Sequence, residues 1–243
     1  MNHPEFRYEI QNGTVDPATD MYPGAGREWF SVQHWVALQQ SGLSAAVFPL
    51  DAPLATLGDI NRGAWPTEFG ARPGTIFSYV MNNYWDTNYP AGQGGQFHFR
   101  YAVTSAPATN AQSLSRMGWE EATSLERDEV TAQDKAVTAG GVFNEKMYSF
   151  LNVDDPALLL QTWKPAEDGN GTILRFVDLD GTERKVRIRI PLLRIQEAWK
   201  TDAVERDLLR LVPGDDSGLE FTIHPHEIAT IRIEGQRVSQ VTH

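Results

Sequence analysis

The chain has 243 residues, no cysteine, and 32 Asp plus Glu against 21 Lys plus Arg, for a formal charge of −11. That charge makes the electrostatic term repulsive for nucleic acid and for an anionic membrane, so the expected partner is a neutral polar ligand. Lack of cysteine excludes disulfides, thiolate zinc sites and cysteine nucleophiles, and leaves the compartment unknown. No window approaches the ~20 apolar residues of a membrane span, and the first residues have neither a basic nor an apolar run. The expectation is a soluble fragment, cytoplasmic or exported by a signal peptide that these residues do not include.

In chain order, Trp29 to Val36 and Leu43 to Phe48 read as strands. Pro49 to Pro73 is rich in Pro, Gly and Ala, which predicts a long ordered loop or a set of short strands that must bury Leu54, Leu57, Ile60, Trp65 and Phe69. Thr75 to Met81 is a further strand. After it, Phe97, Phe99, Tyr101 and Val103 alternate with His98, Arg100, Ala102 and Thr104, the pattern of a half-buried strand.

Ala111 to Glu126 breaks the β pattern. Leu114, Met117 and Leu125 share a helical face there, with Ser113 as the expected cap. Thr131 to Ala139 has weaker helical character. Ser149 to Asn152 and Leu158 to Trp163 return to strand, and Thr172–Leu179 and Thr182–Ile190 read as a hairpin across Asp180-Gly181. Leu219, Phe221 and Ile223 alternate with polar residues, Pro225 interrupts, and Ile228 to Ile233 closes the series. The pattern predicts a mainly β fold, one large antiparallel β-sandwich over residues 1–243 with one or two short helices.

The chemistry-bearing residues concentrate in the loop Asn82 to Gly95. Asn82, Asn83, Tyr84, Trp85, Asp86, Asn88, Tyr89 and Gln93 combine flat rings, which stack on a pyranose face, with side chains able to hydrogen-bond to hydroxyls. They are the candidate carbohydrate-binding residues. His224-Pro225-His226-Glu227 could suggest a metal or acid–base site, but proline spoils the spacing and the segment reads as structure. Asp178 to Gly181 opens like a calcium loop without the later acidic ligand, so the turn explains it. Arg184, Lys185, Arg187 and Arg189 form a basic stripe, either a solvated face or a surface for an acidic partner.

Glycosidase chemistry needs two carboxylates about 5 to 9 Å apart. The acidic pairs Glu120-Glu121 and Asp215-Asp216 diverge, and no nucleophile elbow or phosphate loop is present. The sequence therefore predicts no catalytic residue and no metal ligand in this chain.

Three segments carry a family resemblance: PGAGREWFSVQHWV (Pro23 to Val36), SYVMNNYWDTNYPAGQGGQFHFRYAVTS (Ser78 to Ser105), and ILRFVDLDG with LEFTIHPHEIATIRI (Ile173 to Gly181, Leu219 to Ile233). Together they resemble the C-terminal half of glycoside hydrolase family 38, the retaining α-mannosidases. In that family an N-terminal α/β barrel holds the catalytic aspartate and zinc, and a sandwich of the galactose-mutarotase-like supersandwich type closes the chain.

The resemblance implies that this chain lacks nucleophile and zinc positions, carries no cofactor, and is inactive alone. It would dock on an N-terminal catalytic domain of the same enzyme and lend the Asn82 to Gln93 loop to a carbohydrate pocket. An apolar docking patch involving Trp29, Trp35 or Trp65 is expected, with self-association as a consequence. The alternatives are a free-standing carbohydrate-binding module and a mutarotase-like sugar epimerase, the latter needing His98 or His34 in a cleft with a carboxylate.

Overall fold

The computed structural model describes residues 1–60, 65–83, 88, 90–129, 131, 148–214 and 218–238. The fold is mainly β, with several antiparallel sheets and, among the described residues, one helix. The chain divides into two compact units, Met1–Ser124 and Leu125–His243.

In the first unit β1 (Glu5–Ile10), β2 (Gly13–Val15), β4 (Val36–Gln40), β5 (Leu43–Pro49) and β8 (Tyr101–Pro107) form a sheet in the order β2-β1-β4-β5-β8. A three-stranded sheet is made by β3 (Phe30–Ser31), β6 (Leu54–Leu57) and β7 (Ile76–Ser78). Phe6, Tyr8, Val36 and Leu38 pack with Phe30, Ala55 and Leu57 in one core. Ala37, Ala46 and Phe48 point the other way and pack with Trp35 and with Leu114 of α1 (Ala111–Ala122). Both faces of the sheet centre are therefore covered. That explains why Val36, Ala37 and Leu38 are all buried although a strand with one wet face would alternate. Ser41 and Gly42, at φ 54° and 76°, close the β4–β5 hairpin with the left-handed residues a two-residue turn requires.

Several expectations are corrected here. The alternation before the helix holds, but its strand starts at Tyr101, and its covered face is Ala102, Thr104 and Ala106 while Val103 is 71% exposed. As an edge strand of the wider sheet, β8 keeps only its small side chains under cover. The helix cap is Asn110, whose Oδ1 accepts from Ser113 N at 2.8 Å, and not Ser113 itself. Leu114 is buried in the helix face, whereas Leu125 lies past the helix end and is exposed. Of the five apolar residues expected to be buried there, Ile60 and Trp65 are exposed, Leu54 and Phe69 are half-buried, and Leu57 is wholly enclosed. The expected second helix falls almost wholly on 132–139, outside the described residues.

In the second unit β10 (Leu158–Pro165), β11 (Thr172–Asp178), β16 (Ile228–Arg237), β13 (Leu193–Thr201) and β14 (Asp207–Leu211) form a sheet in the order β10-β11-β16-β13-β14. Facing it are β15 (Gly218–Ile223), β12 (Arg184–Arg189) and β9 (Asn152–Val153). Leu174, Phe176, Ile231 and Ile233 from one sheet meet Val186, Ile188, Leu219 and Phe221 from the other. This is a two-layer sandwich whose inner faces hold the apolar half of each alternation.

The predicted hairpin across Asp180-Gly181 is a turn of another kind. β11 pairs with β10 and β16, and β12 pairs with β15 and β9, so the chain crosses from one sheet to the other. Two strands whose apolar faces serve one core from opposite sides cannot also pair edge to edge. The buried Asp178 carboxylate accepts from Asp180 N at 3.1 Å and Gly181 N at 2.8 Å, and Gly181 has φ 73°. β15 and β16 are likewise in different sheets, joined through the turn at His224 to Glu227.

Candidate functional site

The loop singled out by the sequence leaves β7 of one sheet and returns at β8 of the other. Its base is tied where Ser78 Oγ and Tyr101 Oη lie 2.8 Å apart. Within it Gln93 Nε2 donates to the Asn82 carbonyl at 3.1 Å, while Asn83, Asn88 and Gln93 are exposed and Asn82 is half-buried. Four of the eight candidates are thus accounted for. Tyr84, Trp85, Asp86 and Tyr89 lie outside the described residues.

Around the base, Trp29 stands edge-on to Tyr79 with ring centroids 4.6 Å apart, and Phe97 and Tyr101 are exposed. Arg100 holds the entry to β8: its backbone N–H and its guanidinium both donate to Asp51. Those hydrogen bonds, the side-chain ones first, lower the Asp51 carboxyl to about 2.

Of the three tryptophans expected in a docking patch, Trp65 is 68% exposed and Trp29 36% exposed, with the exposed Tyr22 in the same loop region as Trp29. Trp65 lies against Gly26, three residues before Trp29. Trp35 does not join them. It is fully buried beneath α1 and donates from Nε1 to Ser115 Oγ at 3.0 Å.

His34 does meet a carboxylate, Glu9 Oε2 at 2.7 Å, but both are largely buried and Trp119 packs on the imidazole at 4.6 Å. His98 is exposed in the segment before β8. The epimerase arrangement, a histidine and a carboxylate in an open cleft, is not what these two histidines form. In the second unit His224 Nδ1 lies 2.7 Å from Glu183 and His224 N donates to Glu227, so that segment is a bonded turn. Among the described residues no three His, Asp or Glu side chains converge on one point, so no donor set here fits the zinc of the family resemblance.

The basic stripe splits by role. Arg184 is enclosed between Asp155 and Asp178, whereas Lys185, Arg187 and Arg189 face outward. Burial raises the Asp178 carboxyl, but the Arg184 hydrogen bond and three backbone N–H donors, from His226, Asp180 and Gly181, outweigh it and hold the carboxyl below its ordinary range.

A second ionic cluster was not anticipated. The buried Arg232 donates to both Asp168 oxygens, at 3.0 and 2.7 Å, and to the Glu205 carbonyl at 2.6 Å. The Glu205 carboxylate in turn meets Lys164 at 2.6 Å. Its one signal in the sequence is an arginine inside the apolar run Ile231-Arg232-Ile233.

The geometry defines the class: an antiparallel β-sandwich protein with an amide-rich loop and exposed rings at one sandwich edge. Residues 157–231 match the family described as Glycosyl hydrolases family 38 C-terminal beta sandwich domain, which bears out the sequence resemblance over β10 to β15 and the start of β16. The fold is similar to the crystal structure of an alpha-mannosidase from Enterococcus faecalis V583, with TM-score 0.52 and 12% identity over 96% of this chain and 24% of that one. At that identity the likeness concerns fold alone, and this chain spans about a quarter of that protein's length. No curated protein matches the chain in sequence.

Proposed function

We propose that the chain is a non-catalytic C-terminal sandwich part of an α-mannosidase-like glycoside hydrolase, docking on a catalytic barrel that holds the zinc and the nucleophile. The observation that carries this reading is the match of residues 157–231 to the family's C-terminal sandwich. The exposed rings of Tyr22, Trp29 and Trp65 support it, because a docking surface separated from its partner exposes what it would bury. The Asn82 to Gln93 loop then lines the outer part of the sugar pocket.

The test is hydrolysis of p-nitrophenyl α-mannoside by the purified chain alone and after mixing with the barrel-bearing part of a family 38 α-mannosidase stripped of its own sandwich. Expected is no turnover alone and a gain on mixing that Trp29→Ala and Trp65→Ala diminish. Turnover by the chain alone overturns the reading. Mannoside binding with no gain on mixing replaces it with a free-standing carbohydrate-binding module, which the open Trp65 ring would serve.

A further inference from the structure

A cavity of about 320 Å³ opens in the first unit between β1, β4 and the N-terminal end of α1. It owes its shape to strand register. Glu5 and Arg7 stand on one face of β1, opposite Gln39 and Ala37 of β4, and the small Ala37 beneath Arg7 leaves depth. Trp35, Ala111 and Leu114 supply an apolar wall.

The polar groups at its rim have hydrogen-bonding capacity left over. Among the described residues the Glu5 and Arg7 side chains make no hydrogen bond or close ion pair, and Arg7 has only the longer-range charge of Asp20 near it. Gln39 spends its amide on the Thr109 carbonyl at 2.6 Å and keeps its oxygen, while Asn110 spends its oxygen on the helix cap and keeps its amide. Asp16 binds Ala18 N through Oδ1 alone. Among the described residues the enclosed Thr109 hydroxyl has no hydrogen-bond partner, which is costly unless something supplies one.

Carboxylate acceptors, a guanidinium donor and two half-used amides around an apolar wall suit a ligand whose vicinal hydroxyls donate and accept while its C–H face packs. Two carboxylates against one guanidinium disfavour an anion. We infer that this cavity binds a single neutral pyranose, at a site separate from the Asn82 to Gln93 loop. The inference stands apart from the docking proposal, since it concerns the isolated chain.

The experiment is an NMR titration of the full chain with mannose, glucose and galactose, and separately with inorganic phosphate, following backbone amides. Expected are saturable shifts at Glu5, Arg7, Asn110 and Ala111 with at least one sugar. Arg7→Ala and Glu5→Ala should each weaken binding about tenfold with nearly unchanged thermal unfolding, since neither exposed side chain has a hydrogen bond to lose and Arg7 gives up only the longer-range charge of Asp20. Absence of saturable shifts with all three sugars overturns the inference, as do shifts confined to the loop, unweakened binding in both variants, or binding of phosphate in place of sugar. None of these outcomes bears on reconstitution with a catalytic barrel, so the two proposals fail separately.

Discussion

Trp35 and Ser115, 80 residues apart in sequence, are joined by a 3.0 Å hydrogen bond that fastens α1 to the sheet. The indole is wholly enclosed and Ser115 is buried in the helix face, so neither group has water as an alternative partner. Trp35→Phe is expected to cost about 1–3 kcal/mol in urea unfolding, from the orphaned hydroxyl and the smaller ring. Ser115→Ala should cost less, and the double variant less than the sum, because the pair is then removed together.

At Gly118 the same helix lies close against His34 and Trp35. A Cβ there would sit 2.7 Å from the His34 Cβ. Gly118→Ala should therefore destabilise by about 1–3 kcal/mol through overpacking, although alanine favours the helix by about 1 kcal/mol. A Trp119 fluorescence change should accompany it, since that ring packs on His34.

Acid sensitivity should centre on Asp178. Its carboxyl is held below the ordinary range, so the unfolded chain binds its proton first as pH falls. The stability it contributes is complete above the ordinary carboxylate value and is lost as pH drops through the lowered folded one. Asp178→Asn should cost about 3 kcal/mol at neutral pH, leaving Arg184 one carboxylate short. In this variant the acid limb of the stability profile should flatten.

For Asp51 the expected readout is titration, with little effect on stability, because the Arg100 pair is at the surface. NMR should find its carboxyl titrating at about 2. In Arg100→Ala it should return toward the ordinary value while the melting temperature barely moves.

The exposed tryptophans predict behaviour in solution. Light scattering at rising concentration should show self-association that Trp65→Ser and Trp29→Ser reduce. Trp65 is 68% exposed, so its replacement should leave thermal stability nearly unchanged. A monomer at all concentrations would remove self-association from the properties of this surface.

The candidate site was legible only in part. The amide-rich loop stands out by composition, and the chain does return from it into an edge strand. The cavity beside α1 did not stand out, because Glu5, Arg7, Gln39 and Asn110 are unremarkable one by one and meet only through the pairing of β1 with β4 and the seating of the helix.

By itself the sequence determined that this is a mainly β protein with a helix starting at Ala111, which it carried on to Glu126 where the structure ends it at Ala122, since period-two and period-3.6 patterns are local consequences of which face is buried. It also determined the turn at Asp180-Gly181. Only the tertiary structure decided what that turn joins. Whether Thr172–Asp178 and Arg184–Arg189 lie side by side or in opposing sheets depends on which other strands complete their hydrogen bonds, a long-range choice that alternation within either strand does not encode. The same holds for Trp29, Trp35 and Trp65, equally apolar as residues, of which Trp35 is enclosed because a helix from far along the chain lands on it.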